Sequence, residues 1–114
     1  MPSTAAPVPD YAAALRLARA AVAEFSDQHR FVIVEDRTVE RPFGWVFFYL
    51  PERYLRTRDP GDLVPGVAPF VVHRSDGSIA ELPSSLPPER AIELYEQRWR
   101  DARATAGRDG SATP

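Results

Sequence analysis

The segment Gly44-Trp45-Val46-Phe47-Phe48-Tyr49-Leu50 constrains this 114-residue chain more than any other. Four of its seven residues are aromatic. Successive side chains of a strand point to opposite faces, so Trp45, Phe47 and Tyr49 line one face and Val46, Phe48 and Leu50 the other. Both faces are apolar. The run therefore predicts a central strand, covered at least partly on each side.

The flanking sequence supplies candidates for that cover. Tyr11, Leu15, Ala18, Val22 and Phe25 recur at helical spacing. Asp10 is placed to cap the first turn with its carboxylate, and Ser26-Asp27-Gln28 to end the helix. The apolar stripe is thin and alanine-rich, which suits a helix lying close on a sheet. Phe31-Val32-Ile33-Val34 reads as a strand, and Thr38-Val39-Glu40 as a further extended segment. Residues 51–67 read as a loop punctuated by Pro51, Pro60, Gly61, Pro65 and Gly66. Pro69 to His73 and Ser78 to Leu82 read as strands joined by a turn at Asp76-Gly77. A second helix opens near Pro87-Pro88-Glu89, where proline sacrifices no hydrogen bond. It carries Ile92, Tyr95, Trp99 and Ala102 on one face. The order is helix, two strands, loop, two strands, helix. Consecutive strands without a crossover helix predict an antiparallel α+β fold of about four strands, with the 11–26 helix across one face. Leu15, Val22, Phe25, Phe47 or Phe48, Val71 and Ile79 are expected in the core. The boundaries predicted are a tail at 1–9, one domain at 10–103 and a tail at 104–114.

Composition removes much chemistry. The chain has no cysteine, so disulfides, thiolate metal sites and cysteine nucleophiles are excluded. All 14 basic residues are arginine, which excludes lysine Schiff bases and a phosphate-loop lysine. His29 and His73 are the two histidines, and neither sits in a triad pattern. Ser75-Asp76-Gly77-Ser78 lacks the glycines, lysine and following helix of a phosphate loop. A formal net charge of −2 argues against nucleic acid as the main partner. No apolar run has the length of a membrane span, and the N-terminus does not read as a secretory signal. These features predict a cytoplasmic binding module that is not an enzyme and needs no cofactor or metal.

The block from Thr38 to Tyr49, with Gly44-Trp45-Val46-Phe47-Phe48-Tyr49 at its centre, resembles the immunity protein 35 family, also called the YrhB domain. Tyr54 and Leu55, Gly66-Val67-Ala68-Pro69, Phe70 to Val72, Asp76-Gly77, and Ile92 with Tyr95 continue the resemblance across roughly residues 11–100. Val67 stands where the family pattern usually carries asparagine. The resemblance implies a small cytoplasmic protein that binds and neutralises a toxin of a polymorphic toxin system. Some members of the family are described instead as chaperone-like. It implies no catalytic residue.

Gly44 is expected to let the chain turn sharply into the strand, and Trp45 to anchor one end of the sheet. Recognition is then expected in the polar 51–67 loop, through Arg53, Arg56, Arg58, Asp59 and Asp62, and along a neighbouring acidic edge of Glu35, Asp36 and Glu40. Loops vary without unfolding the scaffold, and arginine suits planar, multidentate contacts.

Overall fold

The computed structural model describes residues 7–25, 30–63 and 68–112. Helix α1 spans Tyr11–Ala23, and the Asp10 carboxylate accepts the Ala13 N–H at 2.9 Å. Strand β1 (Phe31–Ile33) leads through a 3-10 turn at Glu35–Arg37 to β2 (Val39–Arg41), β3 (Gly44–Phe47) and β4 (Tyr49–Pro51). Helix α2 (Glu52–Thr57) and a 3-10 turn at Pro60–Asp62 follow, then β5 (Phe70–His73), β6 (Ile79–Glu81) and α3 (Pro88–Ala112). Strands β2-β3-β5-β6 form one sheet and β1-β4 another, all pairings being antiparallel. This is the α+β architecture expected from the sequence.

The aromatic run separates two cores as its alternation requires. Trp45, Phe47 and Tyr49 pack with Leu15, Ala18 and Val22 of α1 and with Phe70 and Val72. On the other face Val46 and Val71 meet Phe43, Leu82 and Ala91 and Ile92 of α3, with Phe48, Tyr95 and Trp99 packed around them. Phe47, Val46 and Phe70 are fully buried.

The run is not one strand, however. The Phe48 carbonyl accepts the Val34 N–H at 2.8 Å. Upstream of it β3 pairs with β2 and β5, while downstream β4 pairs with β1, Ile33 facing Tyr49. Two partners compete for the two halves, and the chain changes sheets between them. Of the expected 51–67 loop, residues 64–67 lie outside the described residues, and the rest is not plain loop, because α2 and the 3-10 turn occupy most of it. Ile79 is the exception among the expected core residues, being 40% exposed. It stands opposite Val72 on the edge strand β6, whereas α1 packs on β1, β3 and β5. Phe25 is partly buried, with its ring against those of Tyr49 and Phe70.

Val8 is buried and its N–H donates to the Arg74 carbonyl at 2.8 Å. Helix α3 continues beyond Arg103 through the alanine-rich 102–106 stretch, a sequence of high helix propensity.

Gly44 opens β3 at a φ of +150°, opposite Arg41 and His73. A Cβ there would lie 2.1 Å from the Val72 carbonyl oxygen. Close backbone approach, as well as the turn, therefore demands glycine.

Candidate functional site

The polar residues singled out in the sequence fall into two groups, and among the described residues no hydrogen bond or ion pair links them. The first group folds on itself. The Arg53 guanidinium lies 3.1 Å from an Asp62 carboxylate oxygen, and the Thr57 hydroxyl donates to the other oxygen at 2.5 Å. The same hydroxyl accepts the Asp59 N–H at 3.1 Å. The Asp59 carboxylate in turn accepts the Gly61 N–H at 2.9 Å and caps the 3-10 turn. Asp59, Asp62 and Arg53 thus hold the shape of the segment.

Arg56 and Arg58 are exposed on this segment. Arg58 terminates α2 in the left-handed conformation, with φ 58° and its N–H on the Tyr54 carbonyl at 2.7 Å. Its guanidinium carbon stands 5.9 Å from the centre of the Tyr54 ring. A left-handed residue that is not glycine costs roughly 1 kcal/mol. The return is an arginine held beside an aromatic ring at the end of the helix.

The acidic edge is largely occupied by internal partners. Glu35 pairs with Arg19 of α1 at 2.7 Å and accepts the Tyr11 hydroxyl at 3.4 Å. Glu40 pairs with Arg74 at 3.0 Å. Asp36 is exposed. Glu35, Asp36 and Glu40 are all exposed, and arginines distant in sequence pair with two of the three carboxylates.

Arg74 is the residue that sequence reasoning missed. Its guanidinium covers the Trp45 ring at 4.4 Å, pairs with Glu40 and donates to the Arg41 and Pro42 carbonyls at 3.0 and 3.4 Å. One signal was available: Arg74 alternates with Val72, so it shares the face of Trp45.

His73, the histidine within the described residues, shares a hydrogen bond between its Nε2 and the Tyr95 hydroxyl; His29 lies outside them. Burial pushes the Tyr95 hydroxyl above its ordinary pKa, and the Asp76 charge adds to the effect. Asp76 is held below the ordinary carboxylate value, chiefly by the Ser78 N–H and also by the Ser78 hydroxyl. Burial also raises Tyr49, opposed by a bond with the Ala68 backbone. The tyrosine–histidine pair fastens α3 to β5. Among the described residues no group of three or more histidine, aspartate or glutamate side chains could hold a metal ion, and no helix is long and apolar enough to cross a membrane.

No solved structure matches the chain. A 53-residue stretch is 32% identical to the protein recorded as "Uncharacterized protein YrhB" of Escherichia coli (strain K12), covering 46% of this chain and 56% of that protein. The chain thus matches little more than half the length of that relative. The pattern of the family named Immunity protein 35 matches residues 12–102, from the first turn of α1 through the packed part of α3. With both sheets, the aromatic run, α2 and most of α1 and α3 inside that match, the chain belongs to the immunity protein 35 family.

Proposed function

We propose that the chain is a non-catalytic, cytoplasmic protein-binding module that neutralises a cognate bacterial toxin by binding it. Membership of the immunity protein 35 family carries this reading. The contact surface we propose is the segment of α2 and the following 3-10 turn. Arg53, Asp59 and Asp62 rigidify it through the contacts described above, and Arg56 and Arg58 present their guanidinium groups. Asp36, with Glu35 and Glu40 behind their arginine partners, provides the secondary acidic contact. A preformed loop loses less entropy on binding than a floppy one, and a guanidinium offers several donors in one plane.

The test is co-expression with the toxin encoded beside this chain's gene. The unmodified chain is expected to restore growth and to co-purify with the toxin. The double charge reversal R56E/R58E is expected to melt normally and to lose both. Reversals at Asp59 or Asp62 are unsuitable, since those carboxylates hold the segment together. Failure of the unmodified chain to restore growth, combined with suppression of aggregation of unrelated client proteins, overturns the toxin reading in favour of a chaperone-like role.

A further inference from the structure

A second charged surface lies where α3 crosses the edge strand β2, and it shares no residue with α2 or its following turn. Pleat alternation sends Glu40 to the Trp45 side of the sheet and sends Val39 and Arg41 to the α3 side, where Val39 packs in the second core. Arg41 meets Glu96 of α3 at 3.7 Å. One turn further along α3, Arg100 grips the same carboxylate at 2.5 Å. Arg103 extends this row and lies over the Trp99 ring at 4.6 Å. Trp99 in turn packs edge-on to Phe43. At the other end of β3, Arg37 lies over the half-buried Phe48 ring at 4.7 Å.

Arg41, Arg100 and Arg103 thus line one end of the α3 side of the sheet and Arg37 the other, and Glu96 is the carboxylate that Arg41 and Arg100 share. The Glu96 side chain is only 18% exposed, while those of Arg41 and Arg100 are 45% and 61% exposed. Of the acidic residues adjacent in sequence, Asp101 is engaged with the Gln97 amide at 3.0 Å, and Asp36 is exposed next to Arg37. Stacking on Phe48 and Trp99 fixes the planes of Arg37 and Arg103 and lowers the entropy they lose when they form hydrogen bonds. Arginine with half-buried aromatic residues is also the composition of binding hot spots.

We propose that this face binds a carboxylate-rich protein segment, through bidentate contacts from Arg37, Arg41, Arg100 and Arg103. Protein is favoured over nucleic acid because the guanidinium groups cover the Phe48 and Trp99 rings on which bases would stack. The proposal stands whether or not the toxin reading holds.

The test is titration of the isotopically labelled chain with an oligoglutamate peptide, followed by nuclear magnetic resonance, with a single-stranded RNA oligonucleotide as a parallel arm. Saturable, salt-sensitive shifts are expected at the Nε–H signals of Arg37, Arg41, Arg100 and Arg103. R37E/R103E is expected to weaken peptide binding about tenfold or more, and R56E/R58E to leave it within about twofold. R37Q/R103Q, which keeps polar side chains at both positions, serves if the reversal does not fold and should weaken binding to an intermediate degree. Absence of saturable peptide binding, shifts centred on Arg56 and Arg58, or tighter binding of the RNA overturns the proposal.

Discussion

The guanidinium of Arg74 covers the ring of Trp45 at 4.4 Å, and the residue joins two further segments, residues 40–43 and Val8. Its side chain binds the β2–β3 connection at Glu40, Arg41 and Pro42. Its backbone N–H donates to the Phe43 carbonyl at 2.9 Å, and its carbonyl accepts from Val8. Arg74→Ala should cost about 1–2 kcal/mol, the sum of a cation–π contact and partly solvated charge-assisted bonds. Arg74→Lys should recover only part of this, because an ammonium cannot span the ring, the carboxylate and two carbonyls at once. Denaturant unfolding followed by tryptophan fluorescence measures both, and a wild-type midpoint for Arg74→Ala would show the contact to be incidental.

Gly44→Ala should be far more damaging than its single methyl suggests. The new Cβ would meet the Val72 carbonyl oxygen at 2.1 Å in a backbone conformation that side chains avoid. Strain of this kind costs 1–3 kcal/mol before the clash is counted, so a total loss of about 3 kcal/mol or more is expected. Equilibrium unfolding measures it. A variant as stable as the parent would mean that β3 and β5 are not so closely apposed.

Phe47 and Phe48 are neighbours in sequence but not in environment. Phe47 is fully buried against Phe70 on the α1 side, whereas Phe48 is half-buried on the α3 side under Arg37. Phe47→Ala is expected to cost about 3–5 kcal/mol, and Phe48→Ala roughly half that. Comparison of the two midpoints checks the unequal burial of the two rings, and equal losses would contradict it.

Stability should fall at both extremes of pH through identifiable groups. Tyr95 and Tyr49 are raised in the folded state, so their contribution is complete below the ordinary tyrosine value of 10.0. It is lost as the pH climbs through their raised values. Asp76 is lowered, so its contribution is complete above the ordinary value of 3.8 and is lost as the pH falls through its lowered value. Tyr95→Phe should flatten the alkaline limb of the stability profile, and Asp76→Ala the acid limb. Urea unfolding across the pH range reads both, and unchanged limbs in the variants would assign the losses to other groups.

Local sequence determined the elements whose signals are contained within one element. Helix α1 follows from the spacing of Leu15, Ala18 and Val22 and from the Asp10 cap. The two-faced character of the aromatic run, the hairpin at Asp76-Gly77 and the family resemblance are likewise short-range patterns. What only the tertiary structure decided involves competition between distant partners. The sheet change at Phe48 depends on β1 and β5 each claiming half of one apolar run, a choice that strand periodicity cannot express. Helix α2 is six residues long, too short to be stable alone, and its polar segment is held by the Arg53–Asp62 pair and the Thr57 bonds. Glu35 and Glu40 look like free surface carboxylates until Arg19 and Arg74 arrive from 16 and 34 residues away. Charge is visible in a sequence, but its neutralisation is not, because a salt bridge is set by the folded distance between side chains and leaves no periodic trace along the chain.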